Sequence, residues 1–163
     1  MSSVESVIKL LKAKAIPYDV LPHKTAYTAT TEAEAVHVPR GEVLKTVVLD
    51  TGSGHAIVVV PGSRKLDMDL VRQALGDGAA HLASESEIGR DFPGFELGAV
   101  PPLQSLAHVP VYVDPEVMLY PVVVFAESQT ESIRARTEDL FAGESVTVTP
   151  IAWRDAVERG ANR

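Results

Sequence analysis

Residues 44–60 run Leu44-Lys45-Thr46-Val47-Val48-Leu49-Asp50-Thr51-Gly52-Ser53-Gly54-His55-Ala56-Ile57-Val58-Val59-Val60. Thr46 to Leu49 and Ala56 to Val60 are rich in β-branched residues, and Asp50-Thr51-Gly52-Ser53-Gly54 between them is turn-forming, so this stretch predicts a β-hairpin with a glycine-bearing loop. Both strands read as central. Hairpin connections argue for a mixed or mostly antiparallel sheet and against a doubly wound parallel one.

Toward the N-terminus, Val4, Val7, Ile8 and Leu11 follow the i, i+3, i+4, i+7 stripe of an amphipathic helix from Ser3 to Lys14, which Pro17 ends. Tyr18 to Leu21 reads as a short strand broken by Pro22-His23-Lys24. Thr31 with Glu34 three residues on resembles a capping box that opens a short helix through Val36.

Toward the C-terminus, Asp67 starts a helix carrying Leu70, Val71, Ala74 and Leu75, stopped by Gly76 and Gly78. Ser84 to Ile88 reads as one capped turn. Val111 to Val113, Pro121 to Phe125 and Ser132 to Arg136 read as strands, with Asp114-Pro115 a turn between the first two. Thr137 begins a short helix, Val146 to Val148 makes a last strand, and Pro150 opens a C-terminal helix through Trp153 and Val157. The expected class is α/β of the α+β type, with residues 1–163 forming one domain.

Composition narrows the chemistry. The chain has 163 residues, of which 45% are hydrophobic, enough for a real core. A net charge of −7 argues against gripping nucleic acid by bulk charge, so no DNA partner is expected and any RNA contact is local. With no cysteine, disulfides, thiolate metal sites and cysteine nucleophiles are excluded. His23, His37, His55, His81 and His108 stand far apart, so no metal site is expected without tertiary convergence, and no cofactor motif occurs. The N-terminus lacks a signal-like pattern, and the apolar runs fall short of the roughly 18 residues a membrane span needs. A cytoplasmic protein without a membrane partner is expected.

Two features carry candidate chemistry. Lys45, at the mouth of the first hairpin strand, is either a strand-end charge that snorkels to water or an ammonium aimed into a cleft, where weak solvation strengthens its pull on a carbonyl or phosphate oxygen. Gly98-Ala99-Val100-Pro101-Pro102 is either a plain surface turn or a loop whose backbone N–H groups, around Gly98 and Ala99, face a developing oxyanion. His23 is a solvated loop histidine or a proton-transfer group. No Gly-x-Ser-x-Gly elbow is present, and Thr51-Gly52-Ser53-Gly54-His55 lacks Walker or Rossmann spacing.

In this order, these elements resemble the YbaK/ProX family, free-standing aminoacyl-tRNA deacylases related to the editing domain of bacterial prolyl-tRNA synthetases. The landmarks are His23 with Tyr27-Thr28, then Leu44-Lys45-Thr46, the Gly98 to Pro102 loop, and Phe125 to Leu140. The resemblance runs over nearly the whole chain. It implies a barrel-like, mostly antiparallel sheet surrounded by helices, and a pocket for the aminoacylated 3′ CCA end of a mischarged tRNA. The implied reaction is hydrolysis of the ester of a small amino acid such as Ala or Cys, on tRNA-Pro, with prolyl-tRNA synthetase a further partner. Lys45 and Gly98 take the catalytic positions. His23, Tyr27, Thr28, Ala99, Val100, Pro102, Ser128 and Thr130 are the substrate-binding candidates.

The sequence departs from that family where many relatives carry an Ala-Gly-x-His-like turn and this chain has Glu127-Ser128-Gln129-Thr130. It departs again at Pro101, where relatives often have Ser or Thr. Two other readings stand beside the deacylase: a non-catalytic module binding a tRNA end or a synthetase, and a small-molecule sensor or metabolic hydrolase on the same fold.

Overall fold

A computed structural model describes residues 3–26 and 28–154. Within them the 44–60 stretch forms the expected hairpin: β2 (Leu44–Thr51) pairs antiparallel with β3 (Gly54–Pro61), Lys45 opposite Val60 and Thr51 opposite Gly54. On β3, Ile57 and Val59 join one core cluster while Val58 and Val60 join another. Successive strand residues point to opposite faces, so a run apolar on both faces is one buried on both faces.

The remaining strands are β1 (Tyr18–Pro22), β4 (His81–Leu82), β5 (Val111–Val113), β6 (Val122–Ala126), β7 (Glu131–Arg136) and β8 (Val146–Val148). They make a five-stranded sheet in the order β4-β2-β3-β5-β8 and a three-stranded sheet in the order β1-β7-β6. The β3–β5 and β5–β8 pairs are parallel and the other four are antiparallel. A parallel bridge between Val43 and Val124 links the two sheets. The barrel-like expectation is therefore met by two joined sheets, not by one closed barrel.

The helices are α1 (Ser3–Ala13), α2 (Ala29–Val36), α3 (Met68–Leu75), α4 (Glu85–Asp91), α5 (Gln104–Ala107) and α6 (Thr137–Phe141). Val7 and Leu11 of α1 pack with Leu44, Val48, Ile57, Phe125 and Ile133 in the larger cluster, which lies between the sheets. Asp67 caps α3 by accepting from the N–H groups of Asp69 and Leu70, and Gly76 ends it in the left-handed conformation at φ 65°. Ser84 caps α4 with a reciprocal Glu87 box, as its spacing predicts.

Two expectations change. The cap of α2 lies one turn earlier than Thr31/Glu34. Thr28 is the N-cap and Thr31 its partner, because the Thr31 hydroxyl reaches back to the Thr28 backbone while Glu34 points to solvent. Pro150 does not open a helix. The N–H groups of Ile151 and Ala152 donate to buried Asp114 at 3.0 and 2.9 Å, and Ala152 bridges Leu66, which holds residues 150–154 extended. The continuation through Val157 lies outside the described residues. The two-residue β4 and four-residue α5 were not expected, being too short to show a period.

Candidate active site

The α2 cap sets the direction of the first wall. With Thr28 fixing the helix start, Ala29, Glu32 and Ala33 fall on one stripe at i, i+3, i+4, and all three are buried. Glu32 is therefore a carboxyl placed on the apolar face of its helix, 4% exposed. It lines a cavity of about 190 Å³ with Ala26, Thr28, Leu44, Lys45, Gly98 and Val100. Lys45 and Gly98, some fifty residues apart in sequence, thus share one pocket. Among the described residues no carboxylate pairs with the Lys45 ammonium.

Burial raises the Glu32 carboxyl from 4.5 to about 7, against a hydrogen bond from Ser132 that lowers it. That bond is 2.5 Å long from Ser132 Oγ to Glu32 Oε2. Ser132 is fully buried on β7, opposite Leu21 of β1, and its Oγ also lies 2.8 Å from His23 Nε2. His23 reaches the pocket through Ser132 and is not itself on the wall.

The Gly98 loop is a turn closed by the Ala99 N–H donating to the Glu96 carbonyl at 2.9 Å. Gly98 has φ 83°, a conformation that side-chain-bearing residues adopt only at a cost. The Ala99 N–H is thus committed inside the turn, and Ala99 is 1% exposed. Pro102 is buried in the core beside Leu103. Of the loop's candidates, Gly98 and Val100 face the cavity.

Ser128 and Thr130 are turned toward each other: the Thr130 N–H donates to Ser128 Oγ at 3.2 Å. Gln129 between them carries the link to the site. Its backbone N–H donates to the Glu96 carboxylate at 2.9 Å, and its side-chain amide donates to the Leu97 carbonyl at 3.2 Å. Tyr27 lies outside the described residues. Thr28 lines the cavity and also an adjoining groove of about 340 Å³, walled by Thr46, Val47, Val48, Leu82, Ile88, Leu97, Gly98 and Val100.

The pattern of the aminoacyl-tRNA editing domain family matches residues 23–142, which contain every one of these walls. The chain belongs to the aminoacyl-tRNA editing domain family. Among curated proteins no sequence matches it. Its structure is similar to that of a candidate trans-editing enzyme for prolyl-tRNA synthetase, with a TM-score of 0.79 and 25% identity over 94% of this chain and 99% of the other. It is also similar to the hypothetical protein APE2540, with a TM-score of 0.77 and 22% identity over 91% of this chain and 100% of that one. A scaffold protein from epitope backbone grafting shares the fold, with a TM-score of 0.76 and 22% identity over 94% of this chain and 96% of the scaffold.

Glu32, Ser132 and Gln129 are residues at or behind the pocket of this editing domain that the sequence reading missed. The signal for Glu32 was present: a carboxylate in register with Ala29, Ala33 and Val36 on an otherwise apolar stripe. Gln129 gave none, because its partners come from a distant turn. Away from the pocket, Asp50, His55 and Glu87 bring ligand atoms within 4.8 Å of one another. His55 already bonds Asp91 through Nε2 at 2.7 Å and the Leu49 carbonyl through Nδ1 at 3.1 Å, so this is a surface ion-pair cluster with both ring nitrogens engaged. Among the described residues no helix is long and apolar enough to cross a membrane.

Proposed function

We propose that this editing domain acts in trans as an aminoacyl-tRNA deacylase, hydrolysing the ester that joins a wrongly attached small amino acid, such as alanine or cysteine, to tRNA-Pro. The observation that carries the reading is the single cavity in which Lys45, Gly98, Thr28 and Glu32 meet. Its volume of about 190 Å³ lies below the roughly 300–1,000 Å³ of ordinary ligand pockets, which suits a small side chain. The adjoining groove, with its apolar wall from Val47 to Leu97, suits the unstacked terminal adenosine.

Attack of water on the ester carbonyl places negative charge on its oxygen. An ammonium without a carboxylate partner stabilises that charge most where water is excluded, which is the role assigned to Lys45. The backbone at Gly98 holds the ester in the same space, and the φ of 83° keeps a side chain from filling it. An ester to a ribose needs no protein nucleophile. Orientation and electrostatics supply the rate. A net charge of −7 fits a protein that reads only the CCA end, with prolyl-tRNA synthetase as a partner that delivers it.

The test is a panel of mischarged tRNAs assayed with wild type and Lys45→Ala. Release of a small amino acid, slowed on the order of 100-fold or more by Lys45→Ala, is expected. Hydrolysis unchanged in the variant would remove Lys45 from the reaction. Binding of a tRNA end without acceleration on any substrate would replace the deacylase by a recognition module.

A further inference from the structure

The hydrogen-bond geometry behind the pocket wall admits only a restricted set of proton positions. His23 Nδ1 lies 2.6 Å from the Lys24 carbonyl, which can only accept, so Nδ1 carries a proton. His23 Nε2 lies 2.8 Å from Ser132 Oγ, and Ser132 Oγ lies 2.5 Å from Glu32 Oε2. The serine has one proton to give, and two arrangements satisfy all three groups. In the first, Glu32 is protonated and donates to Ser132, which donates to the Nε2 of a neutral imidazole. In the second, Glu32 is a carboxylate accepting from Ser132, which accepts from a His23 imidazolium. The two differ by one proton moved from Glu32 to His23 through a fully buried hydroxyl.

We propose that Glu32 is the proton acceptor of the pocket and that His23, acting through Ser132, holds it in the charged state that accepts. The proposal rests on the deacylase reading and adds its base. In the second arrangement Oε2 is occupied by Ser132, which leaves Oε1 for chemistry. The water oxygen bonds the ester carbonyl carbon as one water proton passes to Glu32. The bond from that carbon to the ribose oxygen then breaks, and Glu32 returns the proton to the ribose oxygen. The products are a free amino acid and a tRNA with its terminal hydroxyl restored, so the atoms balance with water as the only co-reactant.

Among the described residues, the titratable side chains that the cavity lining and the hydrogen bonds place at this site are Lys45 from β2, on the same wall, and His23, behind Ser132. Glu34, on the far side of α2, points to solvent. Lys45 is set to meet the developing oxyanion and Glu32 the water, which gives the two sides of the ester carbonyl opposite partners. Glu32 is then a catalytic residue, while Ser132 and His23 are positioning residues. Burial that brings the Glu32 carboxyl to about 7 suits a base working near neutral pH.

The experiment measures kcat and KM against pH on the mischarged tRNA that wild type hydrolyses, alongside ¹⁵N spectra of the His23 ring. Glu32→Gln is expected to lower kcat by about 100-fold or more with KM within about threefold. Ser132→Ala and His23→Ala remove support from the carboxylate, so the acid limb of kcat/KM moves to higher pH by about one unit and activity recovers at pH 9. A loss of equal size at every pH would make Ser132 and His23 merely structural, and wild-type kcat in Glu32→Gln would overturn the proposal.

In the spectra, Glu32→Gln is expected to move the ¹⁵N resonance of His23 Nε2, which meets Ser132 Oγ at 2.8 Å, and to leave Nδ1, held by the Lys24 carbonyl, where it is. An unchanged Nε2 resonance would break the relay. If wild type hydrolyses no mischarged tRNA, the deacylase reading falls, and the spectra still decide whether the relay exists. Circular dichroism of each variant separates these outcomes from failure to fold.

Discussion

The backbone N–H of Gln129 donates to the carboxylate of Glu96 across 2.9 Å, and that one bond ties the β6–β7 turn to the turn that presents Gly98. The Gln129 side-chain amide adds a second bond, to Leu97. Glu96→Ala is therefore expected to loosen Gly98 without unfolding the domain. Such a hydrogen bond contributes about 0.5–1.5 kcal/mol net, so urea denaturation should move little. Amide hydrogen exchange at Gly98 and Val100 should accelerate on the order of tenfold, while exchange across β2 and β3 stays unchanged.

Gly98→Ala tests the loop from the other direction. At φ 83° an added Cβ costs about 1–2 kcal/mol through backbone strain alone. The expected result is a lower urea midpoint together with loss of deacylation. A variant as stable as wild type would show that the turn adopts another conformation.

Glu32 should make the domain less stable as the pH rises. Folding raises its carboxyl from 4.5 to about 7, so between these values the unfolded chain gives up its proton while the folded protein keeps it. The unfolded state then binds fewer protons, and stability falls with rising pH by on the order of 3 kcal/mol across that window. Glu32→Gln cannot ionise and should flatten this slope. Urea melts at pH 5 and pH 8 should show the variant gaining on wild type only at the higher pH. Some slope persists, because burial and repulsion by Glu131 and Glu96 also raise the buried Glu127 to about 7.

Asp114 behaves in the opposite sense. It is fully buried and accepts from Arg154 at 2.8 Å and from the N–H groups of Glu116, Ile151 and Ala152 at 2.9, 3.0 and 2.9 Å. Burial pushes its carboxyl up, but these donors outweigh burial and hold it below its ordinary range. Its stabilising contribution is therefore present above the ordinary carboxylate range and disappears as pH falls through the lowered value. Asp114→Ala strands a mostly buried guanidinium and should cost about 3–5 kcal/mol, read as a large drop in urea midpoint at pH 7. A cost below about 1 kcal/mol would mean that Arg154 finds water instead.

Much of the architecture was written locally. The hairpin of residues 44–60, the Asp67 cap with its Gly76 stop, and the Ser84–Glu87 box depend on propensities and bonds between near neighbours, and each formed where the sequence puts it. The likeness to editing domains was likewise carried by residues readable in order, from His23 through Lys45 to Gly98. Where the reading went astray, a distant partner intervened. Pro150 is a good first residue for a helix, yet Asp114, 37 positions from Ile151, takes the N–H groups and straightens the chain.

The sequence by itself determined most of the strands, the Asp67 and Ser84 caps, and the two candidate residues Lys45 and Gly98. Only the tertiary structure decided that they share a cavity, that Ser128 and Thr130 bond each other, and that Glu32 lines that cavity with Ser132 and then His23 behind it. The reason is physical. Secondary structure answers to interactions a few residues long, whereas a proton's position depends on which donors and acceptors the folded chain brings within 3 Å, here across 100 residues between Glu32 and Ser132.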